Sequence, residues 1–184
     1  TCKNLTKLDD YCNTSHALKK LRYLDLSFNK IEQIDTHAFL SCNKLRTLLI
    51  DGNGMLTLDA KFLLLPGLRK FSMQVSNLTK LPNSTFQCNS QLSEIYFFGN
   101  NITDFKVGVL QPITKLRKIE MPDVDCNCDL YEVWQWLRNR RSQTEIDNPN
   151  NVCGYRINLD TVYSALECNG SSYSSSAQSN NTSD

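Results

Sequence analysis

The sequence predicts an α/β repeat fold: a right-handed, curved solenoid with a parallel concave sheet, closed at its C-terminal end by a disulfide-bonded cap. Three observations carry this expectation. A pattern first seen whole at residues 21–34 recurs at intervals of 23 or 24 residues. A second apolar position follows each copy's first Leu by eighteen residues. Four of the eight cysteines cluster between 126 and 168.

The first copy reads Leu21-Arg-Tyr-Leu24-Asp-Leu26-Ser-Phe-Asn29-Lys-Ile31, the form L-x-x-L-x-L-x-x-N-x-L of a leucine-rich repeat. The second runs Leu45…Leu48-Leu-Ile50-Asp-Gly-Asn53, and the third Leu68…Phe71-Ser-Met73-Gln-Val-Ser76. The fourth is Leu92…Ile95-Tyr-Phe97-Phe-Gly-Asn100, and Leu116…Ile119-Glu-Met121 opens a fifth. A strand this short cannot bury its apolar side alone, so the repeats must stack and share one core. Asn29, Asn53 and Asn100 each offer an amide to the backbone of a following turn, and removing such a buried partner costs about 1–3 kcal/mol. Ser76 takes that place in the third copy, so a looser turn is expected there. Phe39, Leu63, Phe86 and Leu110 are the eighteen-residue positions and should line the convex wall.

Residues 1–20 form a partial N-terminal repeat or a reduced cap, because Asn4-Leu5-Thr-Lys-Leu8 repeats the wording of Asn77-Leu78-Thr-Lys-Leu81. Cys2 and Cys12 are close enough to close a short loop, or Cys12 sits buried near the convex wall. Residues 21–121 are the repeats. Within them Cys42 and Cys88 lie two repeats apart, beyond disulfide reach, and read as buried free thiols. The cap is expected over 122–169. In it Asp129 is positioned to cap a helix with Glu132 three residues on, and Leu130, Val133, Trp134 and Leu137 form the apolar stripe that covers the last repeat. A second short helix is expected from about Thr161, and the spacing suggests the pairs Cys126–Cys153 and Cys128–Cys168. The Ser/Asn-rich tail, 170–184, is too poor in apolar residues to pack.

Compartment follows from the same residues. Net charge is +1, which gives no global pull towards nucleic acid or membrane. The run Phe62-Leu-Leu-Leu65 is far too short to span a bilayer, so membrane attachment would need segments outside this chain. No signal peptide stands at the start, as expected of a mature chain or a fragment. Asn-x-Ser/Thr sequons begin at Asn4, Asn13, Asn77, Asn83, Asn101, Asn169, Asn180 and Asn181. Together with the cysteines they place the chain on the extracellular side, secreted or at the cell surface.

Repeats plus Cys-x-Cys, a Trp-Leu helix and two later cysteines resemble the extracellular leucine-rich repeat proteins with a C-terminal cysteine cap. Toll-like receptor ectodomains, variable lymphocyte receptors and guidance proteins such as Slit are of this kind. The stretch Met121-Pro-Asp-Val-Asp125 departs from the Asn-Pro-Trp common before the first cap cysteine, and the usual four-cysteine N-terminal cap is missing. The resemblance implies macromolecular recognition outside the cell, first as an immune-type receptor ectodomain. A cell-adhesion or guidance module and a polyanion-binding matrix protein are the alternatives.

No catalytic constellation is expected. His16 and His37 fall in different repeats without a nucleophile beside them, Cys-x-Cys is too tight for the usual zinc knuckle, and no cofactor is implied. The surface is what remains. Tyr23, Thr47, Lys70, Glu94 and Lys118 should form one concave row, and Asp25, Leu49, Ser72, Tyr96 and Glu120 the next. Ser27, Asp51, Gln74, Phe98 and Pro122 follow, with Phe28 and Val75 beside them. The repeat does not require the apolar bulk of Tyr23, Phe28, Leu49, Tyr96 and Phe98, and such clusters mark protein-binding surfaces. The expected ligand is therefore a protein or cell-surface receptor. Arg22, Arg46, Arg69 and Arg117, each directly after a first Leu, add a basic ladder that admits an anionic glycan. Nucleic acid is not expected.

Overall fold

The computed structural model describes residues 7–8, 18–55, 57–58, 63–124, 127–140 and 144–147. Its strands are β1 (Lys7–Leu8), β2 (Tyr23–Asp25), β3 (Gln33–Ile34), β4 (Thr47–Leu49), β5 (Lys70–Ser72), β6 (Glu94–Tyr96), β7 (Asn101–Ile102), β8 (Lys118–Glu120), β9 (Asp123–Val124) and β10 (Glu145–Asp147). Among the described residues, two helices, α1 (Val107–Leu110) and α2 (Cys128–Arg138), accompany the strands, together with a 3-10 turn at Leu18–Lys20.

One strand per repeat enters a parallel sheet of order β10-β8-β6-β5-β4-β2. Its register pairs Leu24 with Leu48, Leu48 with Phe71, Phe71 with Ile95 and Ile95 with Ile119, so equivalent repeat positions lie side by side. Those five side chains point inward and are buried, as are Leu26, Ile50, Met73, Phe97 and Met121 two residues on. The convex column of Phe39, Leu63, Phe86 and Leu110 is buried as expected. Between the two walls Phe71, Phe86, Phe97 and Phe105 meet edge-on or tilted, with centroids 5.8–6.5 Å apart. Such ring pairs contribute about 0.5–1.5 kcal/mol beyond their buried area.

The turns after the strands are held by side-chain amides. Asn53 donates to the carbonyls of Leu26 and Ile50 at 3.1 and 2.8 Å and accepts from the Ile31 N–H at 3.0 Å. Asn100 does the same for Met73 and Phe97 at 2.6 and 2.8 Å. The third turn is not left loose by Ser76. Its hydroxyl donates to the Gln74 carbonyl at 2.9 Å, and the Asn100 Oδ1 accepts from the N–H groups of both Ser76 and Leu78 at 3.0 Å. The neighbouring repeat supplies what serine lacks. On the convex side Asn89, buried in a column with Cys42, Leu65 and Ile113, donates to the Leu63 and Leu65 carbonyls.

Helix α2 lies over the end of the stack with Leu130, Val133 and Leu137 buried, Trp134 half-buried, and α1 packed against it. Its cap differs from expectation: Asn127, not Asp129, accepts from the Leu130 N–H at 2.9 Å. Asp129 stands in the first turn instead, where a negative charge favours the helix dipole. The chain then returns to the sheet as β10, a strand the sequence reading lacked. Thr144 fastens it by donating to the Leu116 carbonyl at 3.0 Å.

The two mid-repeat cysteines also differ from expectation. Cys42 is buried but disulfide-bonded, and Cys88 is a free thiol but exposed. Cys128 is disulfide-bonded. Cys2, Cys12, Cys126, Cys153 and Cys168, the helix expected from Thr161, and the tail lie outside the described residues.

Candidate functional site: the concave sheet face

Strand alternation leaves the first and third residue of each strand on the concave side, and the register aligns them. Tyr23, Thr47, Lys70, Glu94, Lys118 and Glu145 make one row; Asp25, Leu49, Ser72, Tyr96, Glu120 and Asp147 make the next. The predicted rows are brought together, and β10 adds Glu145 and Asp147 to them. The signal for that strand was present, since Glu145-Ile-Asp147 repeats the alternation of Lys118-Ile-Glu120, but three residues are too few to read as a strand alone.

The centre of the face is a set of tied polar groups around one ring. Tyr96 donates its hydroxyl to Glu94 Oε2 at 3.0 Å, Lys70 Nζ lies 3.4 Å from the same oxygen, and that ammonium sits 4.6 Å from the Tyr96 ring centroid. Burial, and then the bond to Glu94, push the Tyr96 phenol above the ordinary tyrosine value. Lys118 is held by Asp147 at 2.7 Å and Glu145 at 3.2 Å, and these carboxylates, Asp147 first, raise its ammonium above the ordinary lysine value.

Beside this centre Asp51 Oδ1 accepts from Ser72 Oγ at 2.6 Å and from the Gln74 N–H at 2.7 Å, while Gln74 Nε2 donates to Glu120 at 3.3 Å. Ser72 is thereby removed from the candidate contact residues. It is only 3% exposed, between the bulk of Leu49 and Tyr96, and its hydroxyl is spent on Asp51. Pro122, at the end of the third row, is buried as well.

The apolar groups stand along the face and its upper edge. Tyr23 is 56% exposed, Phe28 79%, Val75 59% and Phe98 37%, with Leu49 half-buried. Phe28, Gly52, Val75 and Gly99 are the same repeat position, and all four adopt positive φ, between 48° and 71°. Glycine takes that conformation freely, whereas a β-branched side chain there is strained. The bulky residues alternate with the glycines for a spatial reason: a Cβ on Gly52 would meet the Phe28 ring at 2.6 Å, and one on Gly99 the Val75 Cγ2 at 3.0 Å. Each exposed side chain lies across the glycine of the next repeat.

The formal charges on these rows are unequal. Asp25, Asp51, Glu94, Glu120, Glu145 and Asp147 face only Lys70 and Lys118. The sequon residues Asn77, Asn83 and Asn101 are exposed and lie off this face, past the strands; Asn4, Asn13, Asn169, Asn180 and Asn181 lie outside the described residues. His37 meets Asp35 and Thr36 in an exposed turn, where its backbone N–H holds the Asp35 carboxyl below the usual carboxylate range. His16 is outside the described residues. Among the described residues no three His, Cys, Asp or Glu converge on a metal position, and no helix is long and apolar enough to cross a membrane.

Residues 1–55 match a family model described as leucine rich repeat. No curated protein matches by sequence. Among solved structures, a chain of the LRIM1/APL1C complex is similar with a TM-score of 0.61 at 20% identity, over 68% of this chain and 24% of that one. A chain of the TLR13–ssRNA13 complex gives 0.57 at 22% identity, over 60% and 16%. A chain of the octameric complex of Latrophilin 3, Unc5D and FLRT2, the last represented by its LRR, gives 0.56 at 18%, over 83% and 55%. This chain therefore spans less than two thirds of each of those chains, and the likeness is one of fold.

Proposed function

We propose that this chain, a leucine-rich repeat solenoid by fold, is an extracellular recognition module that holds a protein ligand on its concave face. The observation that carries the reading is the set of exposed or half-buried aromatic and aliphatic side chains on a sheet where central polar groups are already tied to one another. Tyr23, Phe28, Leu49, Tyr96 and Phe98 supply contact area, and the Lys70–Glu94–Tyr96 and Asp51–Ser72–Gln74 ties fix the surface before a ligand arrives, which lowers the ordering cost of binding. The excess of carboxylates suits a ligand with a basic surface. An immune-type receptor ectodomain is the first role this supports, and an adhesion or guidance module the second. Either role is non-covalent and needs no catalytic group.

The test is a binding screen of the glycosylated chain against secreted and cell-surface proteins, run in parallel with a Tyr96→Ala/Phe98→Ala variant. Ligands that bind the parent should lose at least tenfold in affinity to the variant while its melting temperature moves by only a few degrees. Such a loss is the size expected when two central aromatic contacts are removed. Equal affinity would place the contact elsewhere.

A further inference from the structure

The strand-entry edge of the solenoid is basic. The five segments 18–22, 42–46, 65–69, 89–93 and 113–117 each lead into a sheet strand, and together they hold eight Lys or Arg and no Asp or Glu. Their alignment is fixed by the backbone. The Arg46 N–H donates to the Arg22 carbonyl, Arg69 to Arg46, Ser93 to Arg69 and Arg117 to Ser93, each at 2.8 Å. With strands about 4.8 Å apart, the line from Arg22 to Arg117 is roughly 20 Å long. Arg22, Arg69 and Arg117 are exposed, and none of the eight bases makes an ion pair among the described residues. Arg46 is half-buried, its Nη1 donating to the Gly67 carbonyl at 3.0 Å, so one cation of the line is fixed in place.

We infer that this edge binds a linear sulfated polysaccharide, independently of the concave face. Among the described residues these cations face no carboxylate within ion-pair distance, so a polyanion is free to engage them, and a net charge of only +1 shows that the row is a local feature. Three observations favour a sulfated sugar over a nucleic acid or a glycosylated flank. The five segments themselves contain no Phe, Tyr, Trp or His, so they lack the series of rings on which successive bases stack. None of the eight sequons falls within them, and the described sequon residues Asn77, Asn83 and Asn101 stand outside these segments. The charges stand in a line interrupted at the fourth repeat, where 89–93 carry none, an extended arrangement that suits a linear polymer rather than a compact anion.

The experiment uses the intact secreted chain, a heparin oligosaccharide, its unsulfated backbone and a single-stranded RNA of matched charge. The decisive variant is Arg22→Ser/Arg69→Ser/Arg117→Ser, a change the fold already accepts because Ser93 occupies the equivalent position. Heparin should bind the parent at low salt and weaken steeply with added salt, and the variant should bind it about tenfold or more weakly at an unchanged melting temperature. The Tyr96→Ala/Phe98→Ala variant should bind heparin as the parent does. Should the triple variant unfold, Lys20→Gln/Lys44→Gln in the same segments replaces it, with a loss again expected. Heparin affinity unchanged in a folded variant would overturn the inference. So would RNA binding more tightly than heparin, which would reassign the edge to nucleic acid, or the unsulfated backbone binding equally well.

Discussion

The turns of the second and third repeats occupy the same place in the stack and are built from different residues. Gly52-Asn53 combines a residue free to adopt positive φ with a carboxamide that closes four backbone groups, three carbonyls and one N–H; Val75-Ser76 has a strained β-branched residue and a single hydroxyl. Both serine and asparagine are nevertheless buried. In a solenoid each turn is a joint property of two repeats: Asn100 reaches back to take the N–H groups of Ser76 and Leu78, and a deviation in one copy is absorbed by the next.

The two turns differ most in their dependence on Asn100. Asn100→Ala strips partners from four backbone groups at once and should destabilise the chain by about 3 kcal/mol in denaturant melts. The loss should exceed that of Asn53→Ala, because only Asn100 serves two N–H groups below it. Equal losses would mean that the third turn holds itself. A smaller effect is expected at the strained position. Val75→Gly should raise stability by about 1 kcal/mol, relief of the positive φ outweighing the entropy of glycine; a fall would show that Val75 packs against Gly99 to greater effect than its exposure suggests. Smallest is Ser76→Asn, expected to add up to about 1 kcal/mol, since Met55 stands to Asn53 as Ile31 stands to Asn29. No gain would mean that the Ser76 hydroxyl already suffices.

The regular parts of the fold were legible because periodicity alone determines them. Leu24, Leu48, Phe71, Ile95 and Ile119 had to face inward once the repeat was aligned, and the concave rows followed from strand alternation. What periodicity could not supply was any property set by a single neighbour. Ser72 is on the concave row by register, but Leu49 and Tyr96 on either side bury it. Asp129 satisfies the pattern of a capping box, yet Asn127 lies two residues nearer the true helix start and takes the bond. Cys42 and Cys88 hold different burial and redox states although both precede the next repeat's strand. The recurrence of Phe, Gly, Val and Gly at one position was visible, while its meaning required the distance from the Phe28 ring to Gly52.

The quartet of Phe71, Phe86, Phe97 and Phe105 spans only the third and fourth repeats, so cohesion is uneven along the molecule. Where neighbouring repeats share more contact the stack is held more firmly, and these rings lie near its middle. The segment carrying Tyr96 and Phe98 rests on them, so its amides are expected to exchange more slowly than those of the outer repeats.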